Sequence, residues 1–259
     1  MIFRKYFVLL VWACWLAFVP GWAQVKLEKV SHYAGYRNPF PNCGATFEVD
    51  YLWVDKESAT ATLLNQAIGA AWHGDKQTPE QEADAFINAY KQDFEDAFKG
   101  SEIDTLNLFF MYESKTVDTC LLNTPELLVL SRFSYIYAAG AHGTYGTDFL
   151  NLDVKTGQVI SLEQLFKPDF EKLLAVAIEK AIRKSFQIPT GQRLAEYGFW
   201  TDQLPLPDAF GLTREGLRVI YGLYNIAPYA MGEIDVTVSY QEIKALLRKK
   251  TVIDKLLKP

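Results

Sequence analysis

The stretch that most constrains the fold runs from Thr105 to Leu162. TLNLFFMYESKTV (Thr105–Val117) and ELLVLSRFSYIYAA (Glu126–Ala139) both read as long strands. A glycine cluster, Ala139–Gly143, separates the second from the alternating TYGTDFLNLDV (Thr144–Val154), and KTG (Lys155–Gly157) separates that from QVISL. Strand, tight turn, strand, repeated in succession, predicts a meander of antiparallel hairpins. Gly140, Gly143 and Gly157 are assigned to the turns, because glycine reaches positive φ without steric cost.

Helical signals surround this block. Ser58–Trp72 carries Leu63, Leu64, Ala67, Ile68 and Ala71 at helical spacing. Thr78–Phe98 opens with Thr78 as cap, Pro79 at the first helical position and Gln81 to complete a capping box. Its apolar face is Ala83, Phe86, Ile87, Tyr90, Phe94, Ala97 and Phe98. Ser161 and Gln164 form a second box before a short helix, Asp169 caps a helix over Phe170–Phe186, and a terminal helix covers Gln241–Leu247. Further strands fall at Val25–Ser31, Ala45–Val54, Gly216–Tyr224 and Glu233–Tyr240, with a long loop before the last two. The expectation is an α+β fold: antiparallel β-meander sheets with a few packed amphipathic helices, in two intimately associated subdomains, 24–130 and 131–259.

The first residues point to export. Arg4 and Lys5 precede an apolar run from Tyr6 to Val19, Pro20 breaks it, and Gly21-Trp22-Ala23 suits signal peptidase, giving a cut after Ala23. The run is too short to span a bilayer, and no later segment is long and apolar enough to do so. Trp12 is unsuited to a lipobox before Cys14. The whole chain has a net charge of -5, and loss of Arg4 and Lys5 makes it more negative. With no basic stripe, nucleic acid and anionic membranes are poor partners, while a cationic partner is allowed. After cleavage two cysteines remain, Cys43 and Cys120, and an oxidising compartment favours one disulfide between them.

Catalytic motifs are sparse. Gly140-Ala141-His142-Gly143 lacks the lysine of a phosphate loop and leads into a strand; glycines at 140, 143 and 146 do not form a dinucleotide fingerprint, and no GxSxG is present. The histidines, His32, His73 and His142, are far apart, with no HxH or HxxxH, so no metal site or cofactor is expected. His142 is assigned a packing or hydrogen-bonding role at the turn. A hydrolase would need acids such as Asp148 and Asp153 near it, but five residues apart on a strand they face opposite sides.

FSYIYAAGAHGTYGTDFLNLDVKTGQVISLEQLFKPD, and later FGLTREGLRVIYGLYNIAPYAMGEIDVTVSYQEI, resemble the RsiV-like domain family over about 133–247. Residues from about 30 to 130 resemble the PdaC-type domain that often precedes it. Ala139 stands where a glycine is usual, and Glu163-Gln164 replaces the usual acid of the short-helix motif. The resemblance implies an extracytoplasmic protein of a kind found alone, as the outer lysozyme-binding part of an anti-sigma factor, or attached to a peptidoglycan deacetylase. The deacetylase's separate metal-binding catalytic domain, and the anti-sigma factor's transmembrane and cytosolic segments, have no counterpart in this sequence. The expected function is therefore a non-enzymatic envelope binding module for a lysozyme-like protein or for cell-wall glycan (peptidoglycan). A wall-directed hydrolase and a structural or assembly role are the alternatives. Tyr197, Phe199 and Trp200, in a proline-bounded loop, are the contact candidates together with His142; the other reading folds the three aromatics back onto the core as a lid.

Overall fold

The computed structural model describes residues 24–74, 78–100, 108–207 and 209–257; the signal segment with Cys14 lies outside them. The architecture is mixed α+β. The larger sheet has five strands in spatial order β1 (Leu27–Arg37), β2 (Cys43–Val54), β3 (Phe110–Asn123), β4 (Leu127–Ala138) and β5 (Thr144–Asp153). The smaller sheet has β6 (Ala209–Leu212), β7 (Gly216–Tyr221) and β8 (Ile234–Ser239). Helices α1 (Ala61–Trp72) and α2 (Pro79–Phe98) lie between β2 and β3, followed later by α3 (Leu162–Leu165), α4 (Glu171–Ser185), α5 (Tyr240–Ile243) and α6 (Val252–Leu256).

The meander expectation is met for β3, β4 and β5 but not throughout. β2 and β3 pair in parallel, because the α1–α2 crossover carries the chain back to the starting end of the sheet. The proposed division at 130/131 runs through β4, so both halves share one sheet.

β4 explains how the two sheets join. Leu127, Leu128, Val129 and Leu130 are all fully buried. Alternation points Leu128 and Leu130 to the cluster under α1, with Leu64 and Ile68, and Leu127 and Val129 to the cluster around α4 and the small sheet. The unbroken LLVL run is what a strand covered on both faces requires.

Helix ends follow their capping chemistry. Gln81 N–H donates to Thr78 Oγ1 at 3.3 Å, and Ser161 and Gln164 form the expected reciprocal box. Asp169 is not the cap of α4: it sits at φ 61, and Phe170 is the N-cap residue. The helix is held instead by Leu174, Ile178 and Ile182, one per turn and fully buried.

Three asparagine amides act as short lengths of strand. Asn65 bonds both backbone groups of Val54 at 2.8 Å, fastening α1 to β2. Asn123 does the same for Val25 at 3.0 and 2.7 Å. Asn151, 2% exposed, donates to Phe210 O and accepts from Leu212 N, both at 2.8 Å, which ties β5 to β6.

The disulfide is overturned. Both cysteines are free thiols. Cys43 pairs with Phe110 at one end of β3, and Cys120 lies ten residues further along that strand, about 30 Å away. Burial raises both thiols, Cys120 to about 11.

The turn glycines divide. Gly157 has φ 69, and a Cβ there would lie 2.8 Å from Leu63 Cβ. Gly143 lacks positive φ; it is small because the Tyr135 ring passes 2.4 Å from where its Cβ would be. Gly140 has ordinary space around it. The left-handed residue of this turn is Ala139, at φ 50. Ala139→Gly is therefore expected to stabilise the protein by about 1 kcal/mol, read by denaturant unfolding.

Candidate functional site

Two features meet where the β4–β5 hairpin end approaches the small sheet. The first is a strip of aromatic rings. Phe133 lies 6.0 Å from Tyr145, and Tyr145 lies 6.2 Å from Tyr229. Tyr229 packs on His142 at 4.2 Å and on Tyr224 at 5.8 Å, and Tyr224 lies 6.2 Å from Trp200 at an interplanar angle of 20°. Tyr224 and Trp200 are 51% and 55% exposed, far more than rings recruited only for packing.

The local chain explains this display. Phe199 turns inward, 2% exposed and edge-on to Phe186 at 5.3 Å, so it anchors the loop and projects its neighbour Trp200 outward. Trp200 N–H donates to Ile226 O at 2.9 Å, which sets the loop beside the Tyr224 turn. The Arg193–Asp202 ion pair at 2.8 Å spans the loop's base. Tyr224 itself sits at φ 64, a left-handed conformation that a tyrosine adopts only at a cost.

Of the four expected contact residues, the structure joins Trp200 and His142 through Tyr224 and Tyr229. Phe199 is corrected to a core residue. Tyr197 is half-exposed but bonds Gln192 within its own loop. His142 Nδ1–H donates to the Gly143 carbonyl at 2.9 Å, and its Nε2 faces Tyr224 OH at 3.5 Å. Tyr229 OH donates to the same carbonyl at 2.9 Å, which makes Gly143 O the fixed point of the strip. The two acids considered with His142 are engaged elsewhere: Asp148 accepts from the Trp72 indole, and Asp153 caps the 155–157 turn.

The second feature is an open groove of ≈ 590 Å³ whose lining includes Trp72, Arg132, Ser134, Asp148, Asn225 and Glu233. Arg132 is its rigid wall. It faces Asp118 across the β3–β4 ladder, and the pair is bidentate, at 2.6 and 2.8 Å. Asp118 also accepts from Leu52 N at 3.1 Å. Arg132 donates further to Trp72 O at 3.1 Å and to His73 Nε2 at 3.2 Å, and lies against the Tyr51 and Trp72 rings.

These bonds fix the His73 tautomer. Arginine is always a donor, so Nε2 accepts and Nδ1–H donates to Glu82 at 3.1 Å. Tyr51 OH donates to the same carboxylate at 2.5 Å. Burial pushes Glu82 up; the hydrogen bonds from His73 and Tyr51, aided by Arg132, outweigh it and hold the carboxyl below its usual value of 4.5. Burial and the bond to Glu82 push the Tyr51 phenol well upward. A depressed carboxylate stabilises the fold above its unfolded value and loses that contribution as pH falls through the folded one. Glu82→Gln is therefore expected to flatten the fall in stability below pH 4.5, measured by unfolding across an acid series.

Sequence reasoning missed this chain, Tyr51–Glu82–His73–Arg132–Asp118, and also Tyr224 and Tyr229. One signal was present: Arg132 is the single charged residue between Glu126 and Asp148, and a lone charge inside a strand needs a buried partner. Among the described residues, no group of three or more His, Cys, Asp or Glu side chains gathers as metal ligands would, and no helix is long and apolar enough to cross a membrane.

Residues 163–241 match the model of a protein family of unknown function, DUF3298. This span holds Trp200, Tyr224 and Tyr229 but not His142. None of the curated proteins compared with the chain matches it. Two proteins of that family are among the solved structures that share the fold. A member of the DUF3298 family from Bacteroides fragilis is 22% identical, with a TM-score of 0.78, over 90% of this chain and 97% of that one. A DUF3298 family protein from Pseudomonas aeruginosa is 19% identical, with a TM-score of 0.61, over 87% and 95%.

Proposed function

We propose that this protein is an exported, non-enzymatic binding module of the cell envelope, and that the strip from Phe133 to Trp200 is its contact surface for a lysozyme-like protein. The observation that carries the reading is Tyr224. A half-exposed aromatic held at positive φ is strained with no gain in burial, and such strain collects at ligand clamps. Exposed tryptophan and tyrosine side by side is also the composition of interface hot spots. The His142 ring is committed to Gly143 and Tyr224, which favours a positioning role over proton transfer. The negative net charge suits a basic partner, and the RsiV-like resemblance supplies its class.

The test is titration with a c-type lysozyme at about 0.15 M and then about 1 M salt. Saturable binding at both ionic strengths is expected of a shape-matched surface. Binding lost at high salt would reduce the interaction to charge attraction and overturn the reading.

A further inference from the structure

The groove beside the strip has chemistry of its own. Arg132 holds one face of the Trp72 indole at 4.4 Å, and Asp148 accepts its N–H at 3.3 Å, so the ring is a fixed aromatic wall. The polar lining is mixed. Arg132 has four of its five N–H groups engaged, leaving one Nη1 hydrogen, and Ser134 Oγ has no protein partner among the described residues. Asp148 and Glu233 each accept two hydrogen bonds from the protein, from Trp72 and the Phe149 amide, and from the Thr147 amide and hydroxyl. Each carboxylate therefore keeps lone pairs for a ligand.

The balance of charge and donors narrows the ligand. Asp118, Asp148 and Glu233 stand against Arg132 alone, so an anion meets net repulsion. A cation offers no acceptor and leaves the free Arg132 N–H unmatched, although the two carboxylates and the Ser134 hydroxyl could receive it. A hydroxyl donates and accepts at once and satisfies both. Hydroxyls on a ring with an apolar face also use the indole. The groove's ≈ 590 Å³ lies within the range of small-ligand sites.

We propose that this groove binds an uncharged pyranose unit of an oligosaccharide, its ring against Trp72 and its hydroxyls on Asp148, Glu233, Ser134 and Arg132. The site is separate from the strip but adjoins it, since Asn225 follows Tyr224 and Gly146 follows Tyr145. The inference rests on the binding-module reading in one respect: the sugar is recovered uncleaved.

The test titrates the full chain with a β-1,4-linked N-acetylglucosamine trimer and with cellotriose, following heat and tryptophan fluorescence. Saturable binding of either is expected, weakened at least ten-fold by Asp148→Ala and by Ala71→Trp, which adds bulk at an exposed position on the rim, and unchanged by Trp200→Ala. Neither sugar binding at about 10 mM, or binding that survives both groove variants, overturns the proposal. Mass analysis of the recovered sugar separates the two claims: cleaved product would sink the binding-module reading while leaving the groove as the sugar's site.

Discussion

Replacing Asp118 with alanine is expected to destabilise the protein by about 3–5 kcal/mol, the largest effect of any single change considered. Its side chain is fully buried and holds three donors: Arg132 Nε, Arg132 Nη2 and Leu52 N. The alanine variant leaves a guanidinium charge inside the sheet and a β2 amide without its acceptor. Arg132 would keep Trp72 O, His73 Nε2 and two aromatic faces, none of which carries a compensating charge. In Asp118→Leu combined with Arg132→Met the uncompensated charge is gone, so the double variant should be much closer to wild type than Asp118→Ala. Equal losses in the two would mean that the pair matters through packing and not through charge. Urea unfolding, with unchanged m-values as the check on two-state behaviour, makes the comparison.

Asn151→Ala comes second, at about 3 kcal/mol, because it orphans two backbone groups at once. Phe210 O loses its donor, and Leu212 N, buried in the joint between the sheets, loses its acceptor. Asn151→Asp keeps the acceptor but sets a carboxylate against the Phe210 carbonyl, so it should recover none of the loss. Hydrogen exchange at the Leu212 amide gives a local readout: protection should collapse there well before it falls in β3. A Leu212 amide that stays protected in Asn151→Ala would show that the β7 ladder and burial hold β6 without the Asn151 amide.

Much of the fold was legible because it rests on local signals. The α2 cap, the Ser161–Gln164 box, the alternation of β2 and the strand-turn-strand run all depend on neighbours within a few residues. What failed depends on distant parts of the chain. The parallel β2–β3 pair depends on where a long crossover returns. The free cysteines depend on register, which puts Cys43 and Cys120 far apart on adjacent strands. β6 and α6 are four and five residues long, too short for periodicity to register, and β6 is held by its ladder to β7 on one side and by a side chain of β5 on the other.

The site was half legible for the same reason. Trp200 and His142 stood out as an aromatic in a loop and a rare histidine in a glycine turn. Of the two rings that join them, Tyr224 was read as the last residue of a strand, which in fact ends at Tyr221, and Tyr229 as part of the link to the next strand. Phe199 was misassigned because adjacent aromatics in a loop alternate between anchor and display, and only the packing against Phe186 decides which is which. Arg132 announced itself by charge alone, without indicating its partner.

That the strip exists to bind is tested most directly by Tyr224→Gly. Glycine accepts the left-handed turn, so the variant should be as stable as wild type or gain about 1 kcal/mol, while lysozyme affinity, read as Kd by calorimetry, should fall at least ten-fold. A ten-fold loss without loss of stability would establish that the strained ring is held for its partner. Unchanged affinity in a well-folded Tyr224→Gly protein would contradict the account and leave the aromatic strip as packing between the two sheets.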